Sequence, residues 1–241
     1  MWSEAPSRAL AWLFRPQCAA CAAHVADGLP FCDGCAGSLT ENLVSCPRCA
    51  EALPGPRAVV CRRCRDRPLP METIVAPWQY GGALADAIRR LKFERRGEVA
   101  RALAPLIAPV LVATAVSIGA TLIVPVPLHW TRRLRRGFDQ SALLLARAAA
   151  LAAPPCAIAP ALRRRRATPQ QSRRGAPARF ENLRGAMEAT RRWRGQLDGA
   201  RVVVFDDVVT TGATMAVAAQ ALRRAGARVV VGVALARAGT G

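Results

Sequence analysis

Eight of the nine cysteines lie within the first 64 residues, and all eight belong to C-x-x-C pairs. The first two pairs read C-x2-C-x10-C-x2-C, and the next two read C-x2-C-x11-C-x2-C. Two thiolates separated by two residues can bind one metal ion from a tight turn, and two such turns complete a tetrahedral four-sulfur zinc shell. The spacing therefore predicts two structural zinc ions, held by Cys18, Cys21, Cys32, Cys35, Cys46, Cys49, Cys61 and Cys64.

Disulfide, redox and iron–sulfur chemistry are the alternatives to zinc at the cysteine pairs. A disulfide scaffold is disfavoured because no secretory signal is evident, a redox C-x-x-C would not occur four times, and an iron–sulfur cluster stays a competitor. The pattern leaves open whether neighbouring pairs share a metal ion or whether the first pair is cross-braced with the third. His24 could replace a thiolate, although the cysteines already fill both shells. Cys156, alone in an apolar stretch, is predicted to lie in the core.

The composition of the chain changes at residues 67–70, beyond which the cysteine pairs stop and apolar segments alternate with arginine-rich turns. We therefore predict a double zinc-ribbon module over residues 1–70 and a second domain over residues 71–241. The first part has few apolar residues, so zinc binding should supply much of its folding free energy.

Apolar periodicity in the second part predicts alternating strands and helices. The strands are predicted over residues 74–78, 121–126, 201–205 and 228–234, and the helices over residues 83–91, 98–117, 141–152 and 213–225. Residues 163–177 are basic and interrupted by proline and glycine, which predicts a mobile loop. Strands that alternate with helices indicate an α/β fold, with a mostly parallel sheet flanked by helices.

Residues 102–128 carry no charge and are long enough to span a bilayer. Four prolines and Gly119 interrupt this stretch, and its second half is rich in β-branched residues. It is therefore predicted to form a buried helix, a turn and a buried strand, without membrane insertion. Because no secretory signal is evident either, the expected location is the cytoplasm.

The chain is strongly basic. Its formal net charge is +19, and residues 99–180 contain thirteen arginines and a single acid, Asp139. Such a positive field attracts phosphates. A soluble surface that follows a basic bias of the whole proteome would account for the same charge.

Two adjacent carboxylates, Asp206 and Asp207, follow an unbroken apolar run near the C-terminus. A strand that ends at residue 205 would place both acids beyond the carboxyl edge of the sheet, where open α/β sheets bind their ligands. The turn that follows offers free backbone amides and three hydroxyl groups at the start of a predicted helix. The residues of this turn are Thr210, Thr211, Gly212, Ala213 and Thr214.

A ribose 5-phosphate fits a loop that is acidic at one end and suited to an anion at the other. The acids would bind the 2′- and 3′-hydroxyl groups, directly or through magnesium-bound water, and the turn would bind the 5′-phosphate. Gly212 would let the backbone approach the ligand closely. An ordinary strand-end loop with a threonine helix cap explains either feature alone, but it is disfavoured by their combination.

The stretch "VVVFDDVVTTGAT", residues 202–214, resembles the phosphoribosyl-pyrophosphate (PRPP) signature of type I phosphoribosyltransferases. The ComF (GntX-like) branch of that superfamily is resembled by "LKFERRG" (91–97), "VPVPLHWTRRLRRGFDQSALLLA" (124–146) and "RRRRATPQQSRRGAPARFENLRGAM" (163–187). The eight cysteines are similar to the double zinc ribbon of this family. The resemblance covers residues 18–237, although Asp139 stands where asparagine is usual and Met187 where phenylalanine is common.

The resemblance implies that the chain binds PRPP with Mg²⁺ and uses the turn at residues 210–214 as the 5′-phosphate cradle. Arg135, Arg136 and Gly137 are the candidates for pyrophosphate binding, because arginine forks suit diphosphate oxygens; capping of surface loops is their alternative role. Residues 163–175 are the candidate lid, or else a disordered basic linker. His129 is a candidate proton donor, or else a polar surface residue of a proline-rich turn, and the sequence identifies no catalytic residue and no acceptor pocket.

The resemblance implies a cytoplasmic PRPP-binding protein that handles single-stranded DNA during natural competence and DNA uptake, with a competence helicase or another DNA-processing protein as candidate partner. An active phosphoribosyltransferase of nucleoside metabolism, acting on an unidentified base or amine, is the alternative. A structural adaptor built on a decayed transferase fold is the third candidate, and the intact acids and threonine turn argue against it.

Overall fold

The computed structural model describes residues 16–26, 28–55, 59–94, 96–128, 134, 137–165 and 185–239. Within these ranges the chain forms a six-stranded sheet, a separate two-stranded sheet, flanking helices and a cysteine-rich segment. This is the mostly parallel α/β fold with a cysteine-rich N-terminal part that the sequence predicts.

The cysteine-rich segment contains two short helices, α1 (Asp33–Ala36) and α2 (Arg62–Asp66), and each begins directly after a cysteine. Isolated backbone bridges, Gln17 with His24 and Ser45 with Ala52, close the loops around the first and third C-x-x-C pairs. Tight turns with short bridges are therefore the main regular structure of this segment.

The rest of the chain alternates strands and helices. Its strands are β1 (Ile74–Val75), β2 (Trp78–Gln79), β3 (Leu122–Pro125), β4 (Ala157–Ile158), β5 (Leu162–Arg164), β6 (Met187–Ala189), β7 (Arg201–Val209) and β8 (Val229–Arg237). Its helices are α3 (Gly82–Phe93), α4 (Val99–Ser117), α5 (Gln140–Ala152), α6 (Arg194–Leu197) and α7 (Ala213–Arg224), and a 3₁₀ turn, Arg191–Trp193, precedes α6.

The main sheet has the strand order β1-β8-β7-β3-β4, and β2 also pairs with β8. All of these pairings are parallel, whereas β5 and β6 form a separate antiparallel pair. Strand β7 pairs with β3 only as far as Phe205, but with β8 as far as Val209. The last residues of β7 therefore have a neighbouring strand on one side only.

The apolar run of β7 packs on both faces of the sheet. Val202 and Val204 belong to a cluster with residues of α7, β5 and β6, whereas Val203 and Phe205 belong to a cluster with residues of α3, α4 and α5. All four side chains are fully buried. A parallel strand that is covered on both faces needs an unbroken apolar sequence, and this explains the run.

The cysteine-rich segment is packed along one edge of the main sheet and reaches both of its faces. Cys18 packs in the cluster of α3, α4 and α5, whereas Cys46 and Cys49 pack in the cluster of α7. At the edge of the sheet, between these two packing regions, the Asn42 amide donates to the Pro77 carbonyl at 2.7 Å. The Asn42 side chain donates to the Ala76 carbonyl at 3.1 Å. A boundary near residue 70 remains our proposal.

Helix α4 is the one helix in the described ranges that is long and apolar enough to cross a membrane. Half of its most apolar 18-residue window is buried, and the helix packs against α3, α5 and β8. Pro105 and Pro109 lie four residues apart on its exposed face, so the carbonyl groups that they leave without an amide partner face outward. In this fold α4 lies against the main sheet, as the sequence predicts.

Three local predictions are wrong, and the strand predicted over residues 228–234 also extends further than predicted, to Arg237. The strand predicted over residues 201–205 continues to Val209, because β8 goes on pairing with it, and the two acids therefore lie inside β7 rather than after it. The strand predicted over residues 74–78 is interrupted at Ala76 and Pro77, since proline cannot donate to a ladder. The loop predicted from residue 163 begins as strand β5, and its residues 166–177 lie outside the described ones.

Candidate functional site

A cleft opens where strand β3 ends beside β7. The last β3–β7 pair joins Pro125 and Phe205, and on the other side Asp206 is still paired with Ala234 of β8. The early end of β3 leaves one side of the two acids without a neighbouring strand. The resulting cleft has a volume of about 310 Å³, which is at the lower end of the range of small-molecule sites.

The cleft collects polar side chains from elements that are far apart in the sequence. They are Lys92 of α3, Gln140 and Ser141 of α5, Arg164 of β5, Asp206 and Asp207 of β7, and Thr210 and Thr214 of the turn. An apolar wall completes the cleft, and it comprises Tyr80, Phe93, Val126, Pro127, Leu128, Val208 and Ala238. The structure thus brings the predicted acids into one cavity with Thr210 and Thr214 of the predicted turn, whereas Thr211, Gly212 and Ala213 are buried and do not line it.

The two acids have different surroundings. Asp207 is 3% exposed and forms an ion pair with Lys92, the only lysine of the chain. Asp206 is less buried, and its Oδ1 accepts hydrogen bonds from Ser141 Oγ at 2.8 Å and from the Asp207 amide at 2.9 Å. In the described part of the chain no basic side chain is paired with Asp206. Asp206 is therefore the acid that a ligand can engage without breaking an ion pair between the described residues.

Burial raises the pKa of Asp206 to about 7, and the carboxylate of Asp207 adds to the rise. The hydrogen bond from Ser141 and the charge of Lys92 act in the opposite direction without outweighing these effects. Asp206 therefore exchanges its proton near neutral pH, and a cation or a hydroxyl group of a ligand would favour its ionised form.

The turn after β7 has the geometry of an anion-binding helix N-terminus. Gly212 has a φ of +76°, in the left-handed region that favours glycine, and α7 begins at the next residue. The Ala213 amide donates to Thr211 Oγ1 at 3.3 Å. Among the described residues, the amides of Thr211 and Gly212 donate no hydrogen bond. Unpaired amides at the start of a helix are donors for an anion.

The loop predicted to bind pyrophosphate is described at its two ends. Asp139 accepts a hydrogen bond from the Leu128 amide at 2.7 Å and another from the Ala142 amide at 3.2 Å, so one carboxylate joins the two ends of the loop and caps α5. Both partners are donors, which makes an acid suitable at a position where asparagine is usual in the family that the chain resembles. Gly137 has a φ of +85°. Outside the described residues lie His129, Arg135 and Arg136.

The candidate lid is described only at residues 163–165. Arg163 and Arg165 pair with Glu188 at 2.5 and 3.4 Å, whereas Arg164 lines the cleft and donates from Nε to the Pro127 carbonyl at 2.9 Å. These three residues are thus held by strand β6 and by the loop after β3. Residues 166–175 of the candidate lid lie outside the described ones.

Four polar residues of the cleft, Lys92, Gln140, Ser141 and Arg164, are absent from the predicted site residues. Lys92 could have been found, because it is the only lysine and lies in the segment "LKFERRG". Ser141 directly follows "RGFDQ", but a serine at a helix start is too common to point to a site. No signal distinguishes Arg164 from the three arginines beside it.

The four C-x-x-C pairs form two tetrads from neighbouring pairs, so the cross-braced alternative is not formed. Within each tetrad the sulfur atoms all lie within 4.8 Å of one another. Cys21 Sγ and Cys32 Sγ are 3.7 Å apart, and Cys49 Sγ and Cys61 Sγ are 3.6 Å apart. Four sulfurs at zinc–sulfur bonding distance from one ion would be ~3.8 Å apart, so both tetrads fit structural zinc.

The backbone prepares one thiolate in each tetrad. Burial disfavours the Cys18 thiolate, but hydrogen bonds from the backbone around Cys21, Cys32 and Ala20 outweigh it and lower the pKa of Cys18 to about 6. Burial is outweighed in the same way at Cys46, whose pKa falls to about 7. Four sulfur ligands fill a tetrahedral zinc shell, which is typical of a structural site.

The remaining sequence candidates lie outside the tetrads. His24 is exposed and takes part in the bridge with Gln17. Cys156 is half-buried against the cluster of α3, α4 and α5 rather than enclosed in it, and burial raises its pKa. Neither residue adds a ligand to a metal site formed by the described residues.

Known families and proteins resemble both parts of the chain. Residues 139–241 match the phosphoribosyl transferase domain, and residues 9–65 match the double zinc ribbon domain. The DNA utilization protein YhgH of Salmonella typhi is 38% identical over 180 residues, which cover 73% of this chain and 77% of the relative. The protein of the same name from Escherichia coli K12 is 37% identical over 180 residues, or 70% of this chain and 74% of the relative. The chain therefore belongs to the ComF (GntX-like) family of type I phosphoribosyltransferase-like proteins that carry an N-terminal double zinc ribbon.

Proposed function

We propose that this protein binds PRPP together with Mg²⁺ in the cleft at the end of β7. The observation that carries the proposal is that one cavity is lined by Asp206 and by Thr210 and Thr214 of a turn at a helix N-terminus, whose Thr211 and Gly212 amides donate no hydrogen bond among the described residues. Asp206 and Asp207 would bind the ribose diol directly or through Mg²⁺-bound water, and the amides of Thr211 and Gly212 would bind the 5′-phosphate.

The pyrophosphate group of PRPP would lie toward the loop whose ends are joined by Asp139. Arg135, Arg136 and Gly137 are the residues that we propose for it, because the guanidinium fork matches diphosphate oxygens. Arg164 lines the same cleft and adds a positive charge to it. A ligand that combines a diol, a monophosphate and a diphosphate would use all three parts.

Titration calorimetry with PRPP tests this proposal. We expect one PRPP per chain in the presence of Mg²⁺, and binding at least about tenfold weaker after Mg²⁺ is removed, because the metal neutralises diphosphate charge near two acids. Ribose 5-phosphate, which lacks the diphosphate, should bind more weakly than PRPP. A chain with intact zinc content that shows no heat of binding at millimolar PRPP would contradict the proposal.

We further propose that the protein handles single-stranded DNA in the cytoplasm during DNA uptake, with a competence helicase or another DNA-processing protein as partner. The relatives are named DNA utilization proteins, and the net charge of +19 favours a polyanion. A groove of about 600 Å³ is lined by Arg165, Arg194 and Arg224, with Glu188 as the one acid among the described residues of its lining. Nearby in sequence, Arg192 lies 5.7 Å from the ring centre of Trp193, and an aromatic ring beside cations suits stacked bases.

The salt dependence of DNA binding tests this second proposal. We expect the affinity for single-stranded DNA to fall steeply with salt, and Arg194→Ala with Arg224→Ala to lower the log–log slope by about 1.4, or roughly 0.7 per lost phosphate contact. Arg89→Ala is the matched control, because Arg89 is an exposed arginine already paired with Asp86 at 2.7 Å. Retention that is unchanged between 50 and about 200 mM salt would refute the proposal.

An active phosphoribosyltransferase is the alternative function, and the apolar wall of the cleft favours it. Tyr80 and Phe93 border the same cavity as the acids, and a flat base could pack against such a wall. Release of pyrophosphate from bound PRPP when bases and amines are added would establish turnover. PRPP binding without release from any acceptor would favour the binding protein.

A further inference from the structure

Arg237, the last residue of β8, is the largest fully buried side chain in the described part of the protein. Its side chain is 1% exposed, and its guanidinium group has two partners in different parts of the chain. Nη1 donates to the carbonyl oxygen of Thr210, and Nη2 pairs with the carboxylate of Glu51. A buried guanidinium group depends strongly on such partners, because losing one leaves a charge without compensation.

Glu51 lies beside the second cysteine tetrad, two residues after Cys49 and in the interval before Cys61. Its carbonyl oxygen accepts a hydrogen bond from the Cys46 amide at 2.8 Å, which closes the first metal-binding turn of that tetrad. Arg63 Nη2 lies 3.5 Å from Glu51 Oε2 and 3.4 Å from Cys49 Sγ. The same turn that presents two thiolates to the metal therefore also fixes Glu51.

Thr210 begins the turn that we propose as the 5′-phosphate cradle. In a trans peptide the C=O and N–H groups lie in one plane and point in opposite directions. When Arg237 holds the Thr210 carbonyl, it also orients the Thr211 amide away from itself, and that amide donates no hydrogen bond among the described residues. Arg237 thus determines the direction of a donor that the ligand would use.

We propose that Arg237 is a positioning residue that connects the second cysteine tetrad to the 210–214 turn through Glu51, so that PRPP affinity depends on zinc in that tetrad. The inference rests on the proposed PRPP site and adds a regulatory input to it. The coupling free energy between two binding sites has the same value in both directions. Bound PRPP therefore raises the affinity of the second tetrad for zinc by the same factor by which that zinc raises the affinity for PRPP.

Titration of PRPP into three variants of the full chain tests the connection. Glu51→Gln keeps the side-chain shape and is expected to weaken binding about tenfold, and Arg237→Met about tenfold to hundredfold, with two zinc ions per chain retained in each. Arg223→Met is the matched control, since Arg223 also bonds a carbonyl, Pro70 at 3.1 Å, and a carboxylate, Glu72 at 2.7 Å. The control should bind PRPP as the unaltered chain does.

Two further measurements distinguish a specific connection between the second tetrad and the 210–214 turn from a general loss of folding stability in the variants. Hydrogen exchange of the ligand-free chain should be faster at residues 210–214 in Glu51→Gln than in Arg223→Met. In the unaltered chain, PRPP should shift the equilibrium extraction of one of the two zinc ions by a chelator to a higher chelator concentration, and in Arg237→Met this shift should vanish.

The outcomes distinguish this inference from the function on which it rests. If the unaltered chain does not bind PRPP while Glu51→Gln still loosens the turn, the PRPP site is wrong and the connection between tetrad and turn stands. If the unaltered chain binds PRPP, and Glu51→Gln and Arg237→Met bind it equally well, the positioning role is refuted. It is also refuted if PRPP binds but leaves both zinc extractions unchanged.

Discussion

Replacing Asp206 with asparagine is expected to weaken PRPP binding in the presence of Mg²⁺ by roughly hundredfold, because the ligand diol and its metal-bound water lose a charged acceptor. Asp206 is the better position for the change, since it has no basic partner among the described residues, whereas Asp207→Asn would leave Lys92 without its carboxylate. Calorimetry measures the loss, and metal analysis should still find two zinc ions per chain. Asp86→Asn, at an exposed acid of α3, is the control and should bind PRPP normally.

The pH dependence of binding provides a second readout of the same residue. Because the pKa of Asp206 is about 7, lowering the pH from 8 to 6 should weaken PRPP binding of the unaltered chain by about tenfold beyond the effect of the ligand's own phosphates. In Asp206→Asn only the phosphates of the ligand titrate, so its PRPP affinity should depend less steeply on pH. Equal slopes in the two proteins would show that Asp206 does not titrate in the binding step.

Whereas Asp206→Asn is expected to weaken PRPP binding, it should not lower the folding stability of the chain at pH 8. An acid whose pKa is raised on folding, here from 3.8 to about 7, costs stability increasingly as the pH rises between those values. Asp206→Asn removes this cost, so at pH 8 the variant should melt at the same temperature as the unaltered chain or higher. A lower melting temperature at pH 8 would mean that Asp206 stabilises the fold in its ionised form, contrary to the burial that raises its pKa.

The strands of the main sheet, the cysteine tetrads and the threonine turn could be predicted from the sequence, because each is encoded by residues that lie close together in the chain. The run of residues 202–205 requires a strand covered on both faces, and four identical C-x-x-C spacings require metal shells of four sulfurs. The threonine turn is equally local, since Gly212 and the helix that follows it are consecutive in the chain. Such features follow from residue types at short spacing, and the strands and helices predicted from them are close to those observed.

Features that depend on contacts between distant segments were not predictable. The extension of β7 to Val209 is decided by the length of β8, and the opening beside the acids by the end of β3 at Pro125. Lys92 meets Asp207 only because the end of α3 reaches the end of β7. Arg237 meets Glu51 across 186 positions of sequence. No rule based on sequence spacing predicts these contacts, because they form only when complete helices and strands pack against one another.

Removing zinc is expected to unfold the cysteine-rich segment and to lower the melting temperature of the whole chain. Among the described residues of 16–64 the buried apolar side chains, apart from the cysteines, are Ala19, Ala20, Phe31 and Ala50. Burying one phenylalanine stabilises a fold by about 3 kcal/mol at most, whereas a structural zinc ion contributes roughly 10–16 kcal/mol. Circular dichroism and thermal unfolding after chelation measure the loss, which should extend to the main sheet because the tetrads pack on both of its faces.

Single substitutions distinguish the two zinc sites. Cys18→Ser and Cys46→Ser should each reduce the zinc content from two ions per chain to one, and both should lower the melting temperature. Cys156→Ser is the control, because Cys156 lies outside both tetrads and its replacement should leave two zinc ions in place. Since Glu51 lies beside the second tetrad, Cys46→Ser should also impair PRPP binding more than Cys18→Ser does. Retention of two zinc ions in Cys46→Ser, or iron with visible absorption in place of zinc, would overturn the assignment of two four-cysteine zinc sites.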